Sequence, residues 1–272
     1  MTADSRAVAV TLSRPLTAWR IACAVAAFAL WPALACAAEA PSATPFRPDV
    51  AAGSALSEPG WLDVEFGVQR LGGTGTPRRD SLPYLAKIAF SEDWGVSLGG
   101  EALVRTGPSG GPSLRGGGDT VLTLKHRAAS GDDSAFGVEA GIKLPTAKNG
   151  LGSGKRDYSL LGIYSADLDG GWHIDANLGA VRLGAADPGQ GRNQLLWALG
   201  ASYALGPKWS LATDISGSAQ RGTTAASQWL GAASYSWSKR VVLDFGLARG
   251  LSDAAPKRSV FAGMTVLLGK LF

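Results

Sequence analysis

Residues Ser134–Leu144 read SAFGVEAGIKL, and residues Trp172–Leu183 read WHIDANLGAVRL. In an extended chain successive side chains point to opposite faces. Phe136, Val138, Ala140 and Ile142 therefore share one face, and Gly137, Glu139, Gly141 and Lys143 the other. Likewise Trp172, Ile174, Ala176 and Leu178 oppose His173, Asp175, Asn177 and Gly179. Each stretch is a strand with one apolar face and one face of small, polar and charged residues. A barrel in a membrane needs this division, because it turns apolar residues to lipid and admits polar ones inside.

The alternation recurs outward from these two stretches. Twelve runs cover residues 61–70, 82–90, 94–105, 119–127, 134–144, 156–166, 172–183, 192–205, 209–218, 228–237, 240–249 and 259–272. Most are nine to fourteen residues long; a tilted strand crosses a bilayer in about 9–11, whereas strands of soluble proteins average about 5–6. The connections alternate in length. Residues 71–81, 106–118, 145–155, 184–191, 219–227 and 250–258 are long, and 91–93, 128–133, 167–171, 206–208 and the Ser238–Lys239 junction are short. Short periplasmic turns and longer extracellular loops produce that pattern. Trp94, Trp172 and Trp209 each directly follow a short turn, the level of an interfacial aromatic girdle. The expectation is an all-β, up-and-down antiparallel transmembrane barrel of twelve strands over residues 60–272 in the bacterial outer membrane. Composition agrees: 37 glycines, 46% hydrophobic and 18% charged residues in 272 suit neither a soluble helical bundle nor a disordered chain.

Arg6, Arg14 and Arg20 precede an apolar run from Ile21 to Ala35 that ends in Ala35-Cys36-Ala37-Ala38. Residues 1–38 therefore read as a secretory signal peptide. Both cysteines, Cys23 and Cys36, lie in it, so no disulfide framework or cysteine metal site is expected beyond it. The remainder carries 23 basic and 21 acidic residues, a net charge of +2 that points to no nucleic-acid partner. Residues 39–59, with Pro41, Pro45, Pro48 and Pro59 among small residues, read as a flexible periplasmic lead-in.

Gly118-Asp119-Thr120 leading to Lys125, then Ile142-Lys143-Leu144-Pro145-Thr146, the glycines Gly150, Gly152 and Gly154 before Asp157, and Leu178-Gly179 resemble the outer-membrane family named for the meta-pathway of phenol degradation. The resemblance is best over residues 118–183. It implies an outer-membrane barrel and uptake of small, often aromatic, compounds. The family motif continues Leu-Pro-Thr-Gly, where this chain has Ala147.

Catalytic patterns do not form. The chain has two histidines. His126 falls on an outward face near a short turn, an interfacial position, and His173 points inward near Asp175. An outer-membrane phospholipase pairs its His with a nucleophilic Ser two residues on; here His126-Arg127-Ala128 and His173-Ile174-Asp175 stand instead. The run Gly150-Leu151-Gly152-Ser153-Gly154-Lys155 has no Ser or Thr after its Lys and no expected helix, so it is not a phosphate loop. No enzyme activity, cofactor or metal is expected.

Function therefore rests on the lumen. Asp63, Glu65, Glu101, Glu139, Asp157, Asp175, Asp214 and Asp244 face inward against Lys87, Arg105, Lys125, Arg127 and Lys143. The signs of Lys87, Glu101, Lys125 and Glu139 alternate between neighbouring strands, as a cross-strand ion-pair ladder would or as a polar constriction ordering a solute would. The expected solute pathway is Lys87, Glu101, Lys125, Glu139, Lys143, Asp157, His173 and Asp175. Strands eight to eleven line the other wall with small residues such as Ala198, Gly200, Ser216 and Ala232, which suits a narrow passage rather than an open pore. Long connections carry the basic excess, fit for gathering anionic solutes or for binding phosphates of lipopolysaccharide. The other expected partners are outer-membrane lipid and, from the even-spaced Met264, Val266, Leu268 and Phe272, the barrel assembly machinery. Two functions fit: a channel or transporter for passive uptake of small organic solutes, aromatic or anionic, and a structural or surface-interaction barrel whose lumen is occluded by the ladder or by residues 39–59.

Overall fold

Long period-two runs joined in chain order give antiparallel neighbours, and the one remaining question is whether the ends of the sheet meet. The computed structural model describes residues 41–73, 76–107, 112–148 and 150–272; the signal peptide expected over residues 1–38 lies outside them. The strands are β1 (Trp61–Gly73), β2 (Thr76–Ala89), β3 (Trp94–Gly107), β4 (Leu114–Gly116), β5 (Thr120–Ala129), β6 (Ser134–Leu144), β7 (Asp157–Leu168), β8 (Trp172–Arg182), β9 (Asn193–Ala204), β10 (Trp209–Gln220), β11 (Ala226–Ser238), β12 (Val241–Gly250) and β13 (Arg258–Lys270). The short β4 pairs only with β3. The other twelve pair in chain order, and β1 pairs with β13 from Trp61↔Lys270 to Gly72↔Arg258. The sheet thus closes into a twelve-stranded antiparallel barrel in which each of the twelve has a neighbour on both sides. At the β7–β8 hairpin, Gly170 and Gly171 both adopt positive φ, 78° and 85°, the conformation that a tight turn matching strand twist requires.

The faces divide as the alternation demands. Outward side chains are exposed although large and apolar, as with Leu160, Leu178, Leu199 and Phe136, while inward Asp63, Glu65, Lys87, Lys125 and Asp214 are buried. This inversion of a soluble fold is stable only where lipid covers the outside. Trp94, Trp172 and Trp209 sit at the short-turn end, the first stacked on His126 and the others tilted against Tyr203 and Tyr235, at centroid distances of 4.3, 4.9 and 4.8 Å. His126 packs in this belt and its Nδ1 lies 3.1 Å from the Asp93 carbonyl.

Two local readings need correction. Residues 71–81 are not a long loop: β1 and β2 continue as a ribbon to Gly73 and Thr76, tied by Asp80 accepting from Arg70 at 2.7 Å and from Arg78 at 2.6 Å. Arg105 is not lumenal. The register shifts between Leu82 and Pro83, which face Leu103 and Glu101, so that Ala102 is an extra residue. A bulge reverses the facing of everything beyond it, and Val104 is fully buried while Arg105 turns outward.

Candidate functional site

The lumen holds the N-terminal segment. Residues 41–59 do not project as a flexible lead-in; they run inside the barrel. The segment enters at the short-turn end, where Ala43 N–H donates to the Lys239 carbonyl at 2.8 Å, and returns there, where Gly60 N–H donates to Ala89 at 2.8 Å. Gly60 has φ 81°, and a side chain there would strike the Phe272 carbonyl. A glycine is therefore needed where the chain leaves the lumen and becomes β1.

Proline-rich chain makes no ladder of its own, so its backbone groups must find partners on the wall. Glu65 of β1 accepts the amides of Phe46 and Arg47 at 2.7 and 3.2 Å. Asp214 of β10 accepts that of Val50 at 2.8 Å. Asn177 of β8 grips Ala52 on both sides, accepting from its N–H at 2.7 Å and donating to its carbonyl at 2.8 Å. Ser165 of β7 accepts from Ser54 N–H at 2.8 Å. Lys125 of β5 donates to the Gly53 carbonyl at 2.5 Å, and Lys87 of β2 to that of Thr44. Arg47 forms a bidentate pair with Asp244 of β12, at 3.0 and 3.2 Å. These polar contacts hold the segment beside the buried Ala51, and charge-assisted ones are the stronger.

Asp49 stands apart. Its Oδ1 is buried with no hydrogen-bond partner among the described residues. Burial first, then the nearby Asp214, Asp175 and Asp244, push its carboxyl up to about 7, against a smaller lowering by His173. A carboxyl among carboxylates keeps its proton more readily.

The segment fills only the short-turn half. Above it, towards the long loops, a recess of about 300 Å³ is lined by Leu161, Leu196, Ala198, Gln228 and Pro256 and floored by Val50. Among the described residues, no charged one lines it.

The eight expected pathway residues divide between the halves. Lys87 and Lys125 grip the segment; Glu139 pairs with Lys125 at 3.0 Å. Asp175 accepts from Ser165 Oγ at 2.5 Å and lies beside Gly53. His173 bridges Asp167 and Asp175 at 2.7 and 3.3 Å near the short-turn rim. Glu101, Lys143 and Asp157 stand in the upper half, where Glu101 pairs with Arg79, and Lys143 with Asp157 at 2.6 Å and Asp119 at 3.4 Å. The continuous ladder Lys87–Glu101–Lys125–Glu139 does not form. Lys87 lies opposite Ser97, not Glu101, in the β2–β3 register, and pairs with Glu65 instead. Sequence reasoning missed Phe46, Arg47, Asp49 and Asn177 as contacts. The one available signal was the surplus of inward acids, which called for cationic and N–H partners from elsewhere in the chain.

A family described as "Putative MetA-pathway of phenol degradation" matches residues 47–268. Among solved structures, the COG4313 outer membrane channel from Pseudomonas putida F1 superposes with a TM-score of 0.62 at 16% identity, covering 79% of this chain and 98% of that one. The NanC porin gives 0.55 at 10% identity over 76% and 100%, and the KdgM porin 0.53 at 11% over 76% and 99%. These likenesses are of fold. No curated protein matches the sequence.

Proposed function

The chain belongs to the family described as the putative MetA-pathway of phenol degradation, and from that premise and the lumen's construction we propose that it is a bacterial outer-membrane channel for passive uptake of small organic solutes. It is not an enzyme. Its short turns face the periplasm and its basic long loops face the lipopolysaccharide. The observation that carries this reading is the nature of the blockage. The lumen is obstructed by a segment outside the sheet, held through hydrogen bonds and ion pairs that water can replace, so withdrawal of residues 41–59 opens a path without breaking a strand pair. A wall built only as a brace would fill its centre with its own side chains, yet β8–β12 present Ala198, Ser216 and Gly246 there, beside Asn177 and Asp214, which serve the segment.

Solutes enter the uncharged recess above Val50, pass the charged belt when the segment yields, and move down their own gradient. Liposome swelling with uncharged solutes of increasing size tests this. Protein purified from the outer membrane should admit small solutes and exclude larger ones. The rival, a structural barrel with a permanently occluded lumen, requires that neither the intact protein nor a folded variant lacking residues 41–58 swell liposomes with any solute.

A further inference from the structure

Phe46 is the one aromatic side chain that the N-terminal segment carries into the lumen, and it has an unusual seat. Its ring centre lies 3.7 Å from Lys87 Nζ and 4.2 Å from Lys125 Nζ. The two ammoniums come from β2 and β5, the strands on either side of β3, and both side chains are almost fully buried. Each lysine has the same set of partners: one wall carboxylate, Glu65 or Glu139, and one carbonyl from the segment, Thr44 or Gly53. The slot is full, with about 10 Å³ free beside Phe46, Leu56 and the two lysines.

When the segment withdraws, the two lysines keep their carboxylates but lose one shared aromatic face and two neutral oxygen acceptors. Both losses are costly for a desolvated ammonium. The charge count is closed, since Glu65 and Glu139 balance Lys87 and Lys125, and Asp63 lies directly opposite Lys87 in the β1–β2 register. An incoming anion would add negative charge to a site that already has its counter-ions. A neutral ring bearing a hydroxyl or carbonyl oxygen replaces the aromatic face and one of the two acceptors.

We infer that the Lys87–Lys125 slot is a solute-binding site for uncharged, single-ring aromatic compounds carrying an oxygen acceptor, and that Phe46 occupies it as a built-in competitor. The inference rests on the channel reading and adds to it a seat for the solute, a preference for uncharged over anionic rings and a means of opening. A solute of this class takes the place of the ring and thereby favours the withdrawn segment. Because the slot has no spare volume, occupancy by solute and by Phe46 exclude each other.

The test reads the segment directly. Ser54 is buried against β7, and the chain beyond residue 36 has no cysteine, so a Ser54→Cys protein purified from the outer membrane in detergent reports withdrawal by its rate of maleimide labelling. Benzyl alcohol should accelerate labelling at a concentration roughly fivefold or more below that needed for cyclohexylmethanol, which has the same hydroxyl and no aromatic face. Benzoate should be weaker than benzyl alcohol. Equal effects of the two alcohols would overturn the inference, as would benzoate acting most strongly. No acceleration by any probe would also overturn it, provided that the added Arg47→Ala change, which frees the segment, labels quickly. None of these failures touches the channel reading, which fails only if the barrel lacking residues 41–58 is impermeable.

Discussion

The two halves of the lumen are built on opposite principles. In the short-turn half, Glu65, Lys87, Lys125, Asp214 and Asp244 are buried and paired with each other or with residues 44–54. In the long-loop half, Lys143, Asp157 and Glu101 are partly solvated, and none of them lines the uncharged recess. The same residue types therefore carry different energies. A buried charge that loses its partner is strongly penalised, whereas a solvated pair contributes about 0–1 kcal/mol. Control of passage belongs to the lower half, and the upper half selects what reaches it.

Removing the segment abolishes the difference between the two halves. Deleting residues 41–58, with folding verified by heat-modifiable gel mobility, should raise mean single-channel conductance by roughly tenfold or more, because a segment held by this many contacts leaves the withdrawn state a minor population. A milder variant is Arg47→Ala. It removes a bidentate, charge-assisted pair that is partly solvated, worth about 1–2 kcal/mol, and should raise the open fraction roughly five- to thirtyfold in planar bilayers.

Docking raises the Asp49 carboxyl from its ordinary 3.8 to about 7. The docked state therefore binds the proton more tightly, so the segment is held most firmly below about pH 4 and progressively released as the pH rises through about 7. Between pH 5 and pH 8 the open fraction should rise by up to roughly tenfold, allowing for solvent in the lumen. Asp49→Asn should flatten that profile. The smallest effect on the segment is expected above it: Lys143→Ala removes partly solvated pairs with Asp119 and Asp157 and should cost about 1–3 kcal/mol of stability, leaving Ser54→Cys labelling unchanged.

Strand number, facing and the two classes of connection were legible from period-two alternation, because lipid on one side and a polar lumen on the other impose it on every strand. What escaped was local or non-repeating. The bulge at Ala102 turned Arg105 outward, since one extra residue reverses a face without altering the pattern on either side of it. Occlusion by residues 39–59 was one of the readings, beside a flexible lead-in, but the course of the segment escaped because it comes from the wall: Pro45, Pro48 and small residues have no periodicity, and wall side chains such as Asn177, Asp214 and Glu65 give them a conformation. The pathway residues on the strands were placed on the correct face by alternation, but their pairing depended on register, which placed Lys87 beside Glu65 rather than Glu101.

The central claim is that solutes pass only when the N-terminal segment moves. A side chain at Gly137 of β6 would begin 3.5 Å from Ser54 Cβ, within the span of about 3.5–4.5 Å that a disulfide bridges. In a Ser54→Cys, Gly137→Cys protein, oxidation should abolish liposome swelling by small solutes and dithiothreitol should restore it. Equal swelling in the oxidised and reduced forms, with the bond verified by mass spectrometry, would contradict the account.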